Sequence, residues 1–518
     1  MMERIFLYGP PGVGKTTVAE KLAFDLKLPF YDIDAEIEIQ AQESIPEIFS
    51  KYGEAGFRQL ESEQILTVIQ KSPAIVALGG GALLNRQNRD MVESNGNVIC
   101  LNASLPILCE RLDTSVDQRP LIRGDRRQKL KELITERQAH YASFPIQIDT
   151  STKSSQKVVW QIQKKIGCYF VKGLGEGYKV TVCNGILDQI SEIIIFLGIK
   201  GKIALVSDSN VGPLYLQQVK DLLEASQFEV VTHIFPAGEK NKKMQTISGM
   251  WHAFAEAKLD RGSVVIALGG GVVGDMAGFA AATYMRGIDW INVPTTLLSM
   301  ADASVGGKTG FDLPQGKNLV GSFYPPREVI VDPLVLSTLP EEILREGMAE
   351  VLKHGVIASP DLFRKVQKGW PEKPEEIENI IREAIAVKVK VVQEDPFEKG
   401  VRAALNFGHT IGHAVELLSD FTIPHGEAVA IGMSTEARLA SLLRIANIEF
   451  VNELLKTLRF LQLPIELPES MMRNEIYKAM KLDKKVMNGN IHFSLPVKIG
   501  EVKVGVVIEN LEALLNKL

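Results

Sequence analysis

The segment Gly9-Pro-Pro-Gly-Val-Gly-Lys-Thr16 fits the spacing G-x-x-x-x-G-K-[ST] and follows an apolar run, Arg4-Ile5-Phe6-Leu7-Tyr8. Glycines such as Gly12 and Gly14 free backbone N–H groups to face phosphate oxygens where a helix begins. In such a loop Lys15 reaches the β- and γ-phosphates of a nucleotide and Thr16, with Thr17 beside it, serves the Mg²⁺ site. Far along the chain, Gly269-Gly-Gly-Val-Val-Gly-Asp275 is a second glycine-rich turn that lets backbone amides meet a dinucleotide pyrophosphate. Its spacing departs from G-x-G-x-x-G, and a packing turn would look the same. His409 and His413 stand at i,i+4, so both project from one helix face. Two histidines, a carboxylate and an open position make a catalytic zinc arrangement. His425 supplies a further donor, but spacing does not say which histidines ligate.

The elements that position these groups come in two sets. Ile5–Tyr8, Ile75–Leu78 and Val98–Leu101 read as buried strands alternating with amphipathic helices, the pattern of a parallel α/β sheet. Ser151–Ile166 reads as a closing helix, and Lys172-Gly-Leu-Gly-Glu-Gly177 as a glycine-rich hinge. A second α/β pattern follows, with strands expected at Ile203–Ser207, Val230–Phe235, Ser263–Leu268 and Trp290–Val293. After about residue 340 long helical periodicities dominate. The expected organisation is a P-loop kinase-like parallel-sheet module over 1–170 and a linker over 171–176. A Rossmann-like α/β domain follows over 177–335, then a mainly helical domain over 336–518. Ala-Leu-Gly-Gly-Gly occurs at both 77–81 and 267–271, but the flanking sequences differ, so it is not an internal repeat.

At 518 residues the chain is too long for one core. Its 45% apolar and 23% charged content is ordinary for a globular protein. A net charge of −5 offers no basic footprint for nucleic acid or an anionic membrane. Cys100, Cys109, Cys168 and Cys183 are scattered without a CxxC pair, which points to free thiols in a reducing compartment. No run reaches the ~20 apolar residues of a membrane helix, and the N-terminus does not read as a signal peptide. A cytoplasmic location is the expectation.

Around the first phosphate loop, Asp32-Ile33-Asp34, Gly53-Glu-Ala-Gly-Phe-Arg58, Gly79-Gly80-Gly81, Arg119-Pro120-Leu121 and Glu136-Arg137 with Tyr141 follow in order. On these pieces residues 1–168 resemble shikimate kinase. The resemblance implies ATP with Mg²⁺ as donor, with Asp32 near the magnesium. Asp34 would orient the acceptor hydroxyl and be placed to deprotonate it. Arg58 and Arg137 would hold the shikimate carboxylate, with Gly80 and Gly81 lining the pocket. Arg119 would lie in a lid reaching the transferring phosphate. A planar carboxylate asks for bidentate guanidinium partners, and phosphoryl transfer needs positioning, a metal and a cation over the developing charge. Arg58 and Glu61, at i,i+3, also fit a plain surface pair. Arg111 fits a place near adenine or a solvated helix position equally.

From about residue 178 to the end the chain is similar to 3-dehydroquinate synthase. The motifs include Ser207-Asp-Ser-Asn210, Gly238-Glu239 with Lys242, Gly269–Asp275, Pro294-Thr-Thr296, Asp302–Lys308, Gly316-Lys-Asn318, Ala349–Lys353, Asn406–His413, His425-Gly-Glu427 and Asp483-Lys-Lys485. The resemblance implies an NAD site formed by Asp208, Asn210, Glu239, Lys242, Gly270, Gly271, Val272, Asp275, Thr295, Thr296 and Lys317. It assigns Glu350, His409 and His425 to Zn²⁺ or Co²⁺. It places Arg286, Lys308, Asn318, Lys353, Lys388, Arg402, Asn406 and one or both of Lys484 and Lys485 around a substrate bearing carboxylate and phosphate. Asp302, His413 and Lys308 would join the catalytic groups. The implied reaction is a transient oxidation with NAD, loss of phosphate, re-reduction, ring opening and aldol closure, with no net redox.

The same architecture hosts polyol dehydrogenases and other sugar-phosphate cyclases. A simple dehydrogenase would not need so many anion-binding cations, so a different cyclase is the nearer alternative. For the first half the alternatives are another P-loop small-molecule kinase or a module that only regulates its neighbour. The family resemblance also implies a homodimer formed through the second module.

Overall fold

The computed structural model describes residues 4–113, 126–481, 486–487 and 490–518. The chain falls into two compact units, Met1–Phe170 and Val171–Leu518.

In the first unit, β1 (Arg4–Tyr8) runs into a glycine loop and α1 (Lys15–Leu26). Then come β2 (Phe30–Asp32), α2 (Ile33–Ala41), α3 (Ile45–Gln70), β3 (Ile75–Ala77), α4 (Arg86–Glu93) and β4 (Gly96–Asn102). The unit closes with α5 (Leu105–Asp113), α6 (Arg126–Ala142), β5 (Ile146–Asp149) and α7 (Ser155–Ile166). The sheet is parallel, in the order β2-β3-β1-β4-β5, with Leu7 beside Ala77 on one flank and Ile99 on the other. Side chains of a strand alternate between faces. Ile5 and Leu7 therefore pack with Val18, Leu22, Val158 and Ile162, while Phe6 and Tyr8 pack with Ile33, Phe57 and Phe144. That double burial is why β1 is apolar at every position after Arg4. The closing helix begins later than the expected Ser151. Ser151 is held in a turn by the Asp149 carboxylate, and Ser154 accepts from the Lys157 amide as the cap.

The short strand β6 (Cys168–Val171) crosses the division between the units. The second unit continues with β7 (Tyr178–Val182), α8 (Ile190–Phe196), β8 (Ile203–Asp208), α9 (Gln217–Ala225), β9 (Val230–Phe235) and α10 (Met244–Glu256). Next are β10 (Val264–Gly269), α11 (Gly271–Thr283), β11 (Asp289–Pro294), the hairpin β12 (Lys308–Leu313) and β13 (Gly316–Phe323), and β14 (Glu328–Val331). Its strands pair in parallel in the order β7-β14-β11-β10-β8-β9, with the hairpin as a separate antiparallel ribbon. A helical layer follows, built of α12 (Glu341–Ala358), α13 (Pro360–Val366), α14 (Pro374–Glu394), α15 (His409–Leu418), α16 (His425–Leu442), α17 (Ile448–Phe460) and α18 (Arg473–Lys481). It ends in β15 (Val486–Met487), the antiparallel pair β16 (Asn490–Lys498) and β17 (Glu501–Val507), and α19 (Leu511–Leu515). The architecture is mixed α/β, a parallel kinase-type sheet followed by a Rossmann-like sheet and a mainly helical region. Among the described residues no helix is long and apolar enough to cross a membrane.

Candidate active sites

In the first unit Gly12 and Gly14 adopt left-handed backbone, φ 79° and 93°, which turns the loop so that α1 starts at Lys15. The buried Lys15 ammonium donates to the carbonyls of Gly9 (3.0 Å) and Pro10 (3.3 Å), which tether it inside the loop. The Thr16 hydroxyl donates to Asp32 Oδ2 at 2.7 Å, joining the loop to the end of β2. Asp32 also caps α2, its other oxygen accepting from the Asp34 and Ala35 amides. Thr17 is exposed. Arg111, half-buried, donates to Val13 O, Thr150 Oγ1 and Thr150 O. It braces the loop from α5. Arg119 lies outside the described residues.

The turn Gly79–Gly81 gathers four charged side chains. A Cβ on Gly81 would lie 2.6 Å from Arg58 Nη2 and 3.1 Å from Arg137 Nη1, and one on Gly79 would lie 2.5 Å from Glu61 Oε1 and 3.2 Å from Asp34 Oδ1. Two guanidinium groups and two carboxyl groups therefore crowd this turn, in the space a side chain would otherwise take. Glu61 is wholly buried and accepts from Arg58 at 2.7 Å, so the pair at i,i+3 is a buttress rather than a surface ion pair. Burial pushes the Glu61 carboxyl up to about 7 despite Arg58. The Gly80 carbonyl accepts from Tyr8, Arg137 and Tyr141.

In the second unit the N-terminus of α11 opens at Gly270 and Gly271, beside Thr296, while the Thr295 amide donates to Gly269 O at 2.9 Å. Asp275, one turn into α11, accepts from the buried Lys242 ammonium at 2.6 Å, and Asn318 accepts from it at 2.7 Å. Lys317 lies 3.6 Å from Glu239 and 3.2 Å from Glu416. Val272 is half-buried against the core of the sheet. Asp208 closes its own turn by accepting from the Asn210 and Val211 amides at 2.9 Å, leaving Asn210 exposed. The N-terminus of this thirteen-residue helix, with half-buried glycine backbone beside two threonines, fits a dinucleotide phosphate. Arg286 is exposed in a left-handed turn (φ 69°).

Glu350, His409 and His425 come from α12, α15 and α16 and converge. Glu350 Oε1 is buried without a hydrogen-bond partner, 3.4 Å from His409 Nε2 and 3.7 Å from His425 Nε2. Bonds of about 2.0–2.1 Å to one zinc would place tetrahedral neighbours ~3.3 Å apart, so the three donors fit a shared cation. The rest of each ring is oriented for it. His409 Nδ1 faces Phe407 O at 3.3 Å and His425 Nδ1 faces Glu416 Oε2 at 3.2 Å, contacts that leave Nε2 aimed at Glu350. Burial opposes protonation of His425, but the Glu350 and Glu416 carboxylates outweigh it and push its pKa up to about 10, so a metal would displace a proton. His413 stands outside this trio, its ring 5.3 Å from that of His409 and 6.1 Å from that of His425.

Next to the trio is a buried charge network. Asp302 accepts from Lys388 at 2.7 Å, lies 3.2 Å from His354 Nε2 and 3.8 Å from Lys353 Nζ, and Lys353 also pairs with Glu350. Burial would raise the Asp302 carboxyl, but Lys388, Lys353 and His354 hold it well below the usual range. Burial, with Lys353 and Arg402 nearby, pulls Lys388 down to about 8. Arg402 is 2% exposed and donates to Pro396 O at 2.5 Å. Lys308 and Asn406 both reach Glu398. Lys484 and Lys485 lie outside the described residues. Glu416, His354 and Glu398 are additions to the residues read from sequence. Glu416, seven residues after His409 on the same helix, carried a readable signal; His354 and Glu398 carried none.

The profile described as "Shikimate kinase" matches residues 11–167. Those described as "3-dehydroquinate synthase N-terminal" and "3-dehydroquinate synthase C-terminal" match 232–346 and 347–486. The 3-dehydroquinate synthase of a Picosynechococcus species is 42% identical over 339 residues, covering 64% of this chain and 93% of the relative. The chain belongs to the 3-dehydroquinate synthase family. The synthase of Symbiobacterium thermophilum is 44% identical over 335 residues, 64% of this chain and 94% of its own. Among solved structures, 2-deoxy-scyllo-inosose synthase complexed with carbaglucose-6-phosphate, NAD+ and Co2+ is 26% identical, with a TM-score of 0.61 over 68% of this chain and 99% of that one. ValA, the 2-epi-5-epi-valiolone synthase of Streptomyces hygroscopicus with NAD+ and Zn2+ bound, is 28% identical, with a TM-score of 0.61 over 67% and 98%. The gap between 44% and 28% identity favours a 3-dehydroquinate synthase over another sugar-phosphate cyclase. A shikimate kinase domain is fused to it, and the chain carries both enzyme activities.

Proposed function

We propose that the first unit phosphorylates shikimate from ATP with Mg²⁺, and that the second converts 3-deoxy-arabino-heptulosonate 7-phosphate into 3-dehydroquinate and phosphate with NAD and Zn²⁺ or Co²⁺. The synthase reading is carried by the unpartnered Glu350 oxygen between two histidine Nε2 atoms. The kinase reading is carried by the crowding of Arg58, Arg137, Asp34 and Glu61 around Gly79–Gly81.

In the kinase, Arg58 and Arg137 grip the acceptor carboxylate. Asp34 orients the hydroxyl and takes its proton, while Lys15 meets the transferring phosphoryl group. Asp32 and Thr16, already bonded to each other, are the groups for Mg²⁺. In the synthase, Glu350, His409 and His425 would hold the divalent ion. The turn at Gly270, Gly271, Thr295 and Thr296, with Asp275, Lys242, Glu239 and Lys317, would hold the dinucleotide. Bound there, the two supply Lewis acidity and a hydride acceptor restored within each turnover. Lys353, Lys388 and Arg402 bind and orient the carboxylate and phosphate of the substrate. Lys388, brought near neutrality by burial, is suited to hold or release a proton at Nζ. Asp302 anchors it. The supporting features for the cofactors are the donor set above and the two solved relatives bound to NAD+ with Co2+ or Zn2+. A cytosolic homodimer formed through the second unit completes the proposal.

The test uses the full chain in two assays, phosphate release from the heptulosonate and ATP-dependent phosphorylation of shikimate. The wild type should perform both, Lys15→Ala only the first, and His409→Ala only the second. Retention of shikimate phosphorylation in Lys15→Ala would overturn the kinase assignment, and an unaffected synthase in His409→Ala would overturn the metal assignment.

A further inference from the structure

The Gly80 carbonyl has a donor that neither the phosphate loop nor the carboxylate pocket requires. Tyr8, the last residue of β1, is completely buried, and its hydroxyl lies 3.3 Å from Gly80 O and 3.2 Å from His140 Nε2. Phenylalanine would fill the same apolar space between Tyr141 and Phe144, so the oxygen is not there for packing. With the Tyr8 proton given to Gly80 O, its lone pair is left to accept from His140 Nε2–H, the tautomer that this arrangement requires. Burial, then Arg89 and Arg137, lower the His140 pKa, consistent with a neutral ring. That ring is clamped edge-on against Tyr8 (5.7 Å, 87°) and Phe144 (5.3 Å, 85°).

The position of Gly80 gives this bond its leverage. A Cβ on Gly80 would meet Gly9 O at 3.2 Å and Pro11 Cδ at 3.3 Å, so the turn lies directly against the phosphate loop. The next residue, Gly81, lies against Arg58 and Arg137. We propose that Tyr8, oriented by His140, is a positioning residue for the acceptor: it holds Gly79–Gly81 in register with the phosphate loop and so sets the carboxylate pocket at a fixed distance from the transferring phosphate. The proposal rests on reading the first unit as a shikimate kinase.

Steady-state kinetics on the full chain test it with Tyr8→Phe, His140→Leu and His140→Gln. Losing one neutral hydrogen bond is worth about 3- to 10-fold in binding. Tyr8→Phe and His140→Leu should raise the shikimate KM by that factor, with the ATP KM and the synthase rate of the same chain unchanged. His140→Gln, whose amide can still donate to Tyr8, should restore the shikimate KM, which a purely structural histidine would not require. An unchanged shikimate KM in Tyr8→Phe, or an equal rise in both KM values, would overturn the proposal. If Tyr8→Phe does not fold, the contrast between Leu and Gln at 140 decides. A wild-type chain that does not phosphorylate shikimate at all would instead remove the underlying reading, and the proposal with it.

Discussion

In the first unit the phosphate loop is made of backbone. Gly9, Gly12 and Gly14 all have positive φ, and the Lys15 ammonium is tethered by two main-chain carbonyls. In the second, the cations proposed to hold the substrate and part of the dinucleotide are long side chains held in place by other charges: Lys353 by Glu350 and Asp302, Lys388 by Asp302, Lys242 by Asp275. The contrast suits the two tasks. A loop of N–H dipoles wraps a nucleotide phosphate that must arrive and leave. A buried network of paired charges keeps its geometry while a small substrate passes through several steps, at the risk that loss of one partner strands another charge in the interior.

That contrast makes the two sites fail differently. The largest effects test whether they are separable: His409→Ala should abolish heptulosonate turnover, and Lys15→Ala should lower shikimate kcat by ~10²–10³-fold, each sparing the other assay. Next, Asp302→Asn should destabilise the second unit by up to ~3–5 kcal/mol because Lys388 loses its counter-charge, while Lys353 keeps Glu350. The readout is a lower denaturant midpoint for synthase activity with no shift for kinase activity. If both midpoints fall together, the units do not fold independently. Smaller again, Glu416→Gln should weaken metal affinity by about 10–100-fold by loosening His425. Chelator titration should show this, and excess metal should restore the rate. The last effect is a pH slope in the first unit. Glu61 has a folded pKa of about 7 against an ordinary value of 4.5, so the folded state holds its proton more tightly. The stabilisation is complete below the ordinary value and is lost as pH rises through about 7. Glu61→Gln should flatten that decline, read as residual kinase activity after heating between those limits.

What the sequence disclosed was local. The phosphate loop and the strands β8, β9, β10 and β11 were readable to within a residue because glycine spacing and β-branched runs are short-range signals. The three-residue β2, the short β5, β7 and β14, and the β12–β13 hairpin were missed, since half-buried or brief strands carry little period. The ligand set was named through family likeness, because HxxxH alone cannot distinguish His409 from His413. His354 finds Asp302 across 52 residues of chain, and nothing near either residue announces the pairing. Arg111 had two readings from sequence, and the structure adds a bond from α5 to the phosphate loop that neither reading had named.

Gly306 has no part in the chemistry, yet it constrains what this chain can become. Its φ is 128°, its amide donates to the buried Tyr178 hydroxyl at 2.8 Å, and a Cβ there would sit 2.4 Å from Arg402 Nη2. Any side chain at 306 would displace the guanidinium from its pocket. A saturation screen selecting for synthase function should therefore find this silent position as intolerant as the metal ligands themselves. Sequence drift in the fusion would then be limited as much by the room Arg402 needs as by the groups that react.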